Sequence, residues 1–163
     1  MKKIFMSLLI SVFALSVCAQ KGEKAIGLNV GYGSEIENVS IGAKFNYGLT
    51  DQIRLSPSFN YFLKKDGLSA YEFNADVHYL LEVAPKISLY PLAGLNYSSW
   101  KYSADVDFLG ISLSASDSKL GLNLGGGLGL QLSENMSVGF ELKYVIVSDM
   151  DQIVPSFNLM FKF

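Results

Sequence analysis

Thirteen residues, Leu120 to Leu132, read LGLNLGGGLGLQL. Leucine returns at every second position (Leu120, Leu122, Leu124, Leu128, Leu130 and Leu132), with Gly126 the single gap. Between them stand Gly121, Asn123, Gly125, Gly127, Gly129 and Gln131. A period of two is the period of a β-strand, so one face is leucine and the other is nearly bare. A helix would scatter those leucines around its circumference, and each glycine would cost it about 1 kcal/mol relative to alanine. The segment therefore predicts a strand with two opposed surfaces, and any fold must give each surface its own environment.

The pattern recurs along the chain. Residues 25–33 set Ile26, Leu28, Val30 and Tyr32 against Gly27, Asn29 and Gly31. Segments 39–48, 53–62, 71–81, 87–98, 136–147 and 153–163 alternate in the same way, which with 120–132 makes eight strands. Polar turn signals separate them at 34–38, 49–52, 63–70, 82–86, 133–135 and 148–152. Pro57 cannot donate to a ladder and predicts a bulge or break in its strand. Residues 99–119 form the longest connection. Ile111 and Leu113 alternate with serines there, so the flanking strands could extend into a hairpin. The apolar positions change from odd to even before Leu120, which predicts a bulge or turn near Ala115 to Ser118. The Gly125-Gly126-Gly127 run lacks the Lys-Ser/Thr of a phosphate-binding loop and reads as a bulge or a close approach.

The first nineteen residues read differently. Lys2 and Lys3 precede an apolar stretch from Ile4 to Val17, too short to span a bilayer, and Val17-Cys18-Ala19 fits cleavage before Gln20. Residues 1–19 are thus expected to be a signal peptide and residues 20–163 the folded domain. A lipoprotein signal that retains and acylates Cys18 is the alternative, with Val17 where such signals carry a small residue. Loss of Lys2 and Lys3 leaves 11 basic against 15 acidic residues, a net charge of about −4. That balance gives no basic patch for a nucleic acid. No run reaches the roughly 18 apolar residues of a spanning helix.

Which face meets which solvent follows from residue type. The apolar face carries no charge, and a mid-bilayer Lys or Arg would cost about 2–4 kcal/mol. It is also too large to fit inside eight strands, whose interior holds little more than its own side chains. The other face is mostly Gly, Ser and Asn, which suits a cramped lumen. Tyr32, Tyr47, Tyr61, Tyr71, Tyr97 and Tyr144 lie near strand ends, where interfacial girdles form. The expected fold is all-β: an eight-stranded antiparallel up-and-down transmembrane β-barrel. A soluble lipocalin-like barrel, with the apolar face inside around a hydrophobic ligand, is the inverted alternative.

The chain resembles the small eight-stranded outer-membrane barrels of the OmpA and OmpX type over essentially all of Ala25 to Phe163. The most specific feature is the end, where Phe157, Leu159, Phe161 and Phe163 resemble the closing-strand signal of that family. The resemblance implies the bacterial outer membrane as location, its lipid as surroundings and the barrel assembly machinery as a transient partner.

With the polar face inward, Lys44, Arg54, Lys143 and Lys162 meet Glu72, Asp76, Glu141 and His78 in the lumen. A simple hairpin register, in which paired residue numbers total 132, sets Arg54 opposite His78 and diagonal to Asp76. Glu141 and Lys143 are expected beside Lys162 on the next strand. Buried charges must be paired, so the expectation is a polar plug rather than an open pore. Glu72, Asp76 and His78 share a face that could hold a metal, but a structural network is the plainer use, and no catalytic residue, metal or cofactor is assigned. Trp100, Tyr102, Asp105, Asp107 and Phe108 mark a candidate external binding loop. The expected role is structural or surface-binding, in a monomer. A narrow solute channel and a lipid-modifying enzyme are the alternatives.

Overall fold

In the computed structural model, which describes residues 21–65, 68–106, 111–148 and 151–163, the alternating segments are strands. They are β1 (Lys24–Gly33), β2 (Asn38–Gly48), β3 (Ile53–Lys65), β4 (Leu68–Tyr79), β5 (Leu81–Ala84), β6 (Ile87–Val106), β7 (Ile111–Gln131), β8 (Met136–Val147) and β9 (Gln152–Lys162). Strands β4 and β5 are one barrel strand parted at Leu80. Both pair with β6, and His78↔Leu92 and Leu81↔Leu89 lie in one register. Sequence neighbours pair antiparallel around the sheet, and β1 closes it on β9, with Ile26 opposite Phe161. The result is a closed eight-stranded antiparallel barrel. Closure leaves no strand edge along the wall, the condition for a sheet to sit in lipid.

The alternation is inside-out relative to a soluble protein. Leu120, Leu122, Leu124, Leu128, Leu130 and Leu132 are all exposed, while Asn123 is fully buried. Ile26, Leu28, Val30 and Tyr32 are likewise outside. This orientation removes the lipocalin-like alternative, because the large apolar face lies on the outer wall. Tyr61, Tyr71, Tyr97 and Tyr144 are also exposed on that wall.

Two local expectations are corrected. Pro57 produces no bulge: Ala43↔Phe59 and Tyr47↔Leu55 keep one register across it, and Pro57 stays opposite Ala75. The proline acts only on the β2 side, where the ladder omits Phe45 and Asn46, as a residue without an N–H requires. The second concerns Ala115 to Ser118, where no bulge occurs. The β6–β7 ladder runs in constant register from Ile87↔Leu130 to Val106↔Ile111. Beyond the apolar band both faces of a strand can meet water, so a change in apolar parity needs no backbone adjustment there. The expected 99–119 connection is therefore largely strand, as its serine alternation allowed.

The lumen is the protein's core, and its two ends differ. Residues 49–52, 85–86 and 132–135 turn the chain at the end that also carries Lys24 and Lys162. We refer to this as the turn end and to the opposite one as the loop end. Ile36, Phe62, Ala70, Trp100, Val145, Val147 and Val154 form an apolar cluster at the loop end. Polar and charged side chains occupy the middle.

Candidate functional site

The polar lumen is assembled by inward parity on several strands. On β3 and β4, Arg54↔His78 and Phe62↔Ala70 belong to one register whose paired numbers total 132, the simple hairpin register expected, and the register shifts only between Phe62 and Lys65, where Lys65 pairs with Leu68. Arg54 Nη2 lies 2.9 Å from His78 Nδ1. The His78 ring stacks on Tyr90 with centroids 4.6 Å apart and planes 9° off parallel, and Arg54 lies 4.9 Å above the same Tyr90 ring. Glycine makes this stack possible. An added Cβ at Gly127 would come 2.5 Å from Tyr90 Cζ. The Gly125–Gly127 run carries no register shift, so the glycines serve close approach and form no bulge.

Ion pairs then cross the barrel. Lys44 Nζ on β2 donates to Glu141 Oε1 on β8 at 2.6 Å, and the Tyr90 hydroxyl donates to the same oxygen at 2.9 Å. Lys143 Nζ donates to Asp76 Oδ2 at 3.2 Å, while Asn123 Nδ2 donates to Asp76 Oδ1 at 2.7 Å. Gln152 Nε2 donates to Glu72 Oε1 at 2.8 Å. Each of these carboxylates is almost fully buried and has a donor aimed at it, as burial of charge demands.

Lys162 is not a member of this network. Its Nζ lies 2.9 Å from Glu23 at the turn-end rim, and its amide donates to Asn135. The β8–β9 register sets Glu141 opposite Ser156 and Lys143 opposite Val154, which carries Lys162 well past both. Trp100 also departs from its expected place. It is buried in the loop-end cluster, because it continues the inward parity of Asn96 and Ser98. Tyr102 pairs with Leu68 and Asp105 with Ser112 within the protruding hairpin. Asp107 and Phe108 lie outside the described residues. On the outer wall, Phe157, Leu159, Phe161 and Phe163 are all exposed.

The apolar cluster at the loop end went unread in the sequence. Its signal was present: Phe62 follows Asn60, Ala70 precedes Glu72, and Val145 and Val147 follow Lys143, all on the inward parity. Chemically, the three side chains that could have formed a metal or catalytic group are engaged separately. Glu72 meets Gln152, Asp76 meets Lys143 and Asn123, and His78 meets Arg54. A reaction centre needs nucleophile, base and orienter brought together, whereas this arrangement packs and pairs them. A polar cavity of about 140 Å³ remains at the turn end.

Comparison with known proteins places this geometry among outer-membrane barrels. The family described as outer membrane protein beta-barrel domain matches residues 6–163. The chain is similar to the N-terminal β-barrel domain of OprF from Pseudomonas aeruginosa, at 15% identity and TM-score 0.67, covering 88% of this chain and 98% of that one. It is similar to Ail, the attachment invasion locus protein of Yersinia pestis, at 19% identity and TM-score 0.64, covering 88% and 100%. It also resembles a de novo designed transmembrane β-barrel, at 16% identity and TM-score 0.60, covering 90% and 100%. No curated protein matches the chain.

Proposed function

Because the chain belongs to the outer membrane protein beta-barrel domain family and so to the bacterial outer membrane, we propose a non-enzymatic barrel that binds partners through its β6–β7 hairpin. One observation carries this reading. The β7–β8 ladder ends at Gly121↔Val147 and the β4–β6 ladder at Leu68↔Tyr102, yet β6 and β7 stay paired to Val106↔Ile111. Residues 111–120 of β7 thus have no ladder partner on β8 over about 30 Å, at roughly 3.3 Å per residue, with Lys119 Nζ donating to the Ser148 carbonyl just past β8 at 2.9 Å. An open strand edge is a template for an extended polypeptide, which gains main-chain hydrogen bonds there.

Ail has been crystallised with the heparin analogue sucrose octasulfate. A polyanion suits this hairpin poorly, since Lys101 and Lys119 stand against Asp105, Asp107 and Asp117. An extended polypeptide is the better fit. We assign the lumen a sealing role, through its ion pairs and loop-end cluster. Residues 1–19 act as the export signal. Phe157, Leu159, Phe161 and Phe163 engage the barrel assembly machinery during insertion, and the mature protein is a monomer surrounded by outer-membrane lipid.

The test replaces residues 103–114 by a two-residue turn. Heat-shifted gel mobility is expected to remain, since the excised ladder lies outside the closed wall, while adherence of expressing cells to protein-coated surfaces falls. Unchanged adherence would refute the binding role. A narrow channel is the second reading, favoured by the polar cavity at the turn end. Stable large single-channel conductance from reconstituted protein would establish it and overturn the sealing role.

A further inference from the structure

Among the described residues, the turn-end cavity is lined by a cation that no carboxylate pairs. Lys44, Arg54, Lys86 and Lys162 line it, together with Glu23, Glu82 and Glu141. Lys44 is held by Glu141 and Lys162 by Glu23. Glu82 and Lys86 are exposed at the rim. Arg54 is left over: among the described residues no carboxylate lies within 4.0 Å of it. Its Nη2 meets His78 Nδ1, which brings no negative charge, and its plane covers Tyr90. Its Nε is buried without a partner.

A second group points the same way. Asn158 lines this cavity, is only 5% exposed, and has neither its amide oxygen nor its amide nitrogen hydrogen-bonded. Water could satisfy such atoms, and the half-buried guanidinium beside an open cavity also favours a negatively charged occupant. Arginine presents five N–H donors in a planar fork that matches two-oxygen anions. A cavity of about 140 Å³ has the volume of four or five waters at roughly 30 Å³ each, enough for an ion of phosphate or acetate size. The apolar cluster lies at the opposite end of the barrel, so an occupant reaches the cavity from the turn end.

We infer that the turn-end cavity is a binding site for a small oxyanion, phosphate or a short carboxylate, held by Arg54, with the Asn158 amide on the same cavity lining. The inference does not depend on the hairpin's role.

Arg54 is the chain's only arginine, so its Nε–H gives a single identifiable NMR signal in the refolded, detergent-solubilised protein. Inorganic phosphate and sodium acetate are titrated separately at constant ionic strength, with chloride as the reference salt. The expected result is a saturable shift of that signal with phosphate, acetate or both, and none with chloride. Calorimetry on Arg54→Gln and Arg54→Lys, each shown to be folded by its heat-shifted gel band, is expected to show at least tenfold weaker binding. Lysine keeps the charge but loses the fork. The inference is overturned if neither anion gives a saturable shift, if chloride gives the same shift, or if folded Arg54→Gln binds as tightly as the parent. Should Arg54→Gln fail to fold, the wild-type titration and Arg54→Lys decide the matter.

Discussion

At the loop end Phe62, Ala70 and Trp100 stand side by side on β3, β4 and β6, and Val145, Val147 and Val154 meet them from β8 and β9. At the turn end the same β3, β4 and β6 contribute Arg54, His78 and Tyr90, of which Arg54 and Tyr90 line a cavity and His78 is buried against them. The wall is continuous between them, and parity alone decides what points inward. Because antiparallel pairing sets equivalent positions beside one another, a change of residue type at matching heights on several strands makes a layer. The loop-end layer is packed from apolar side chains. The middle layer holds charge in complementary pairs, and the turn-end layer keeps space and an unmatched cation. One barrel thus carries three different interiors through residue type on a single inward parity.

That contrast can be broken from either end. The largest effect is expected in the middle layer. Asp76→Ala leaves Lys143 buried without its carboxylate and should destabilise the barrel by about 3–5 kcal/mol. Reversible urea unfolding in detergent measures this. Asp76→Leu with Lys143→Met should recover most of the loss, since replacing a whole buried pair by packed apolar residues is often neutral or better. If the double variant is no better than Asp76→Ala, charge pairing is not what the layer depends on.

At the loop end, Phe62→Ala removes a fully buried ring from the apolar cluster. The expected cost is about 3 kcal/mol, near the lower bound for such truncations, because the cluster sits at the end of the barrel where neighbours can settle. The same unfolding titration reads it, and a change under about 1 kcal/mol would mean that the cluster is not a core.

Toward the turn end, Gly127→Ala forces the Tyr90 ring off the β7 wall, for about 1–3 kcal/mol of overpacking strain. Tyr90→Leu in the same background should relieve part of it. Additive losses from those two substitutions would dissociate the glycine from the ring. The smallest effect belongs to the rim. Lys162→Ala breaks a partly exposed pair with Glu23 and should cost at most about 1 kcal/mol, less still in high salt. A loss as large as that of Asp76→Ala would place Lys162 within the buried network after all.

Much of this architecture was legible in one pass along the chain. The bare face of Gly125, Gly127 and Gly129 marked close approach before the Tyr90 ring that needs it was known. Arg54 and His78 could be paired from the hairpin alone. Trp100 was misread because a tryptophan in a long connection suggested a surface, whereas parity with Asn96 and Ser98 turned it inward. Of the bulge or local break expected at Pro57, only the break occurs, as a gap in the ladder with β2 that leaves the strand in place.

The sequence by itself determined the two-faced strands, their number, the apolar outer wall and the β3–β4 register from Arg54↔His78 to Phe62↔Ala70. These are local properties: alternation needs only successive residues, and inward parity limits which residues of neighbouring strands can face one another. Only the tertiary structure decided that Lys44 meets Glu141 across 97 residues, that Lys143 meets Asp76 across 67, and that Arg54 meets no acid among the described residues. Those partners stand on strands that never pair. Which of them face each other depends on the barrel's radius and stagger, quantities that exist only once the sheet has closed on itself.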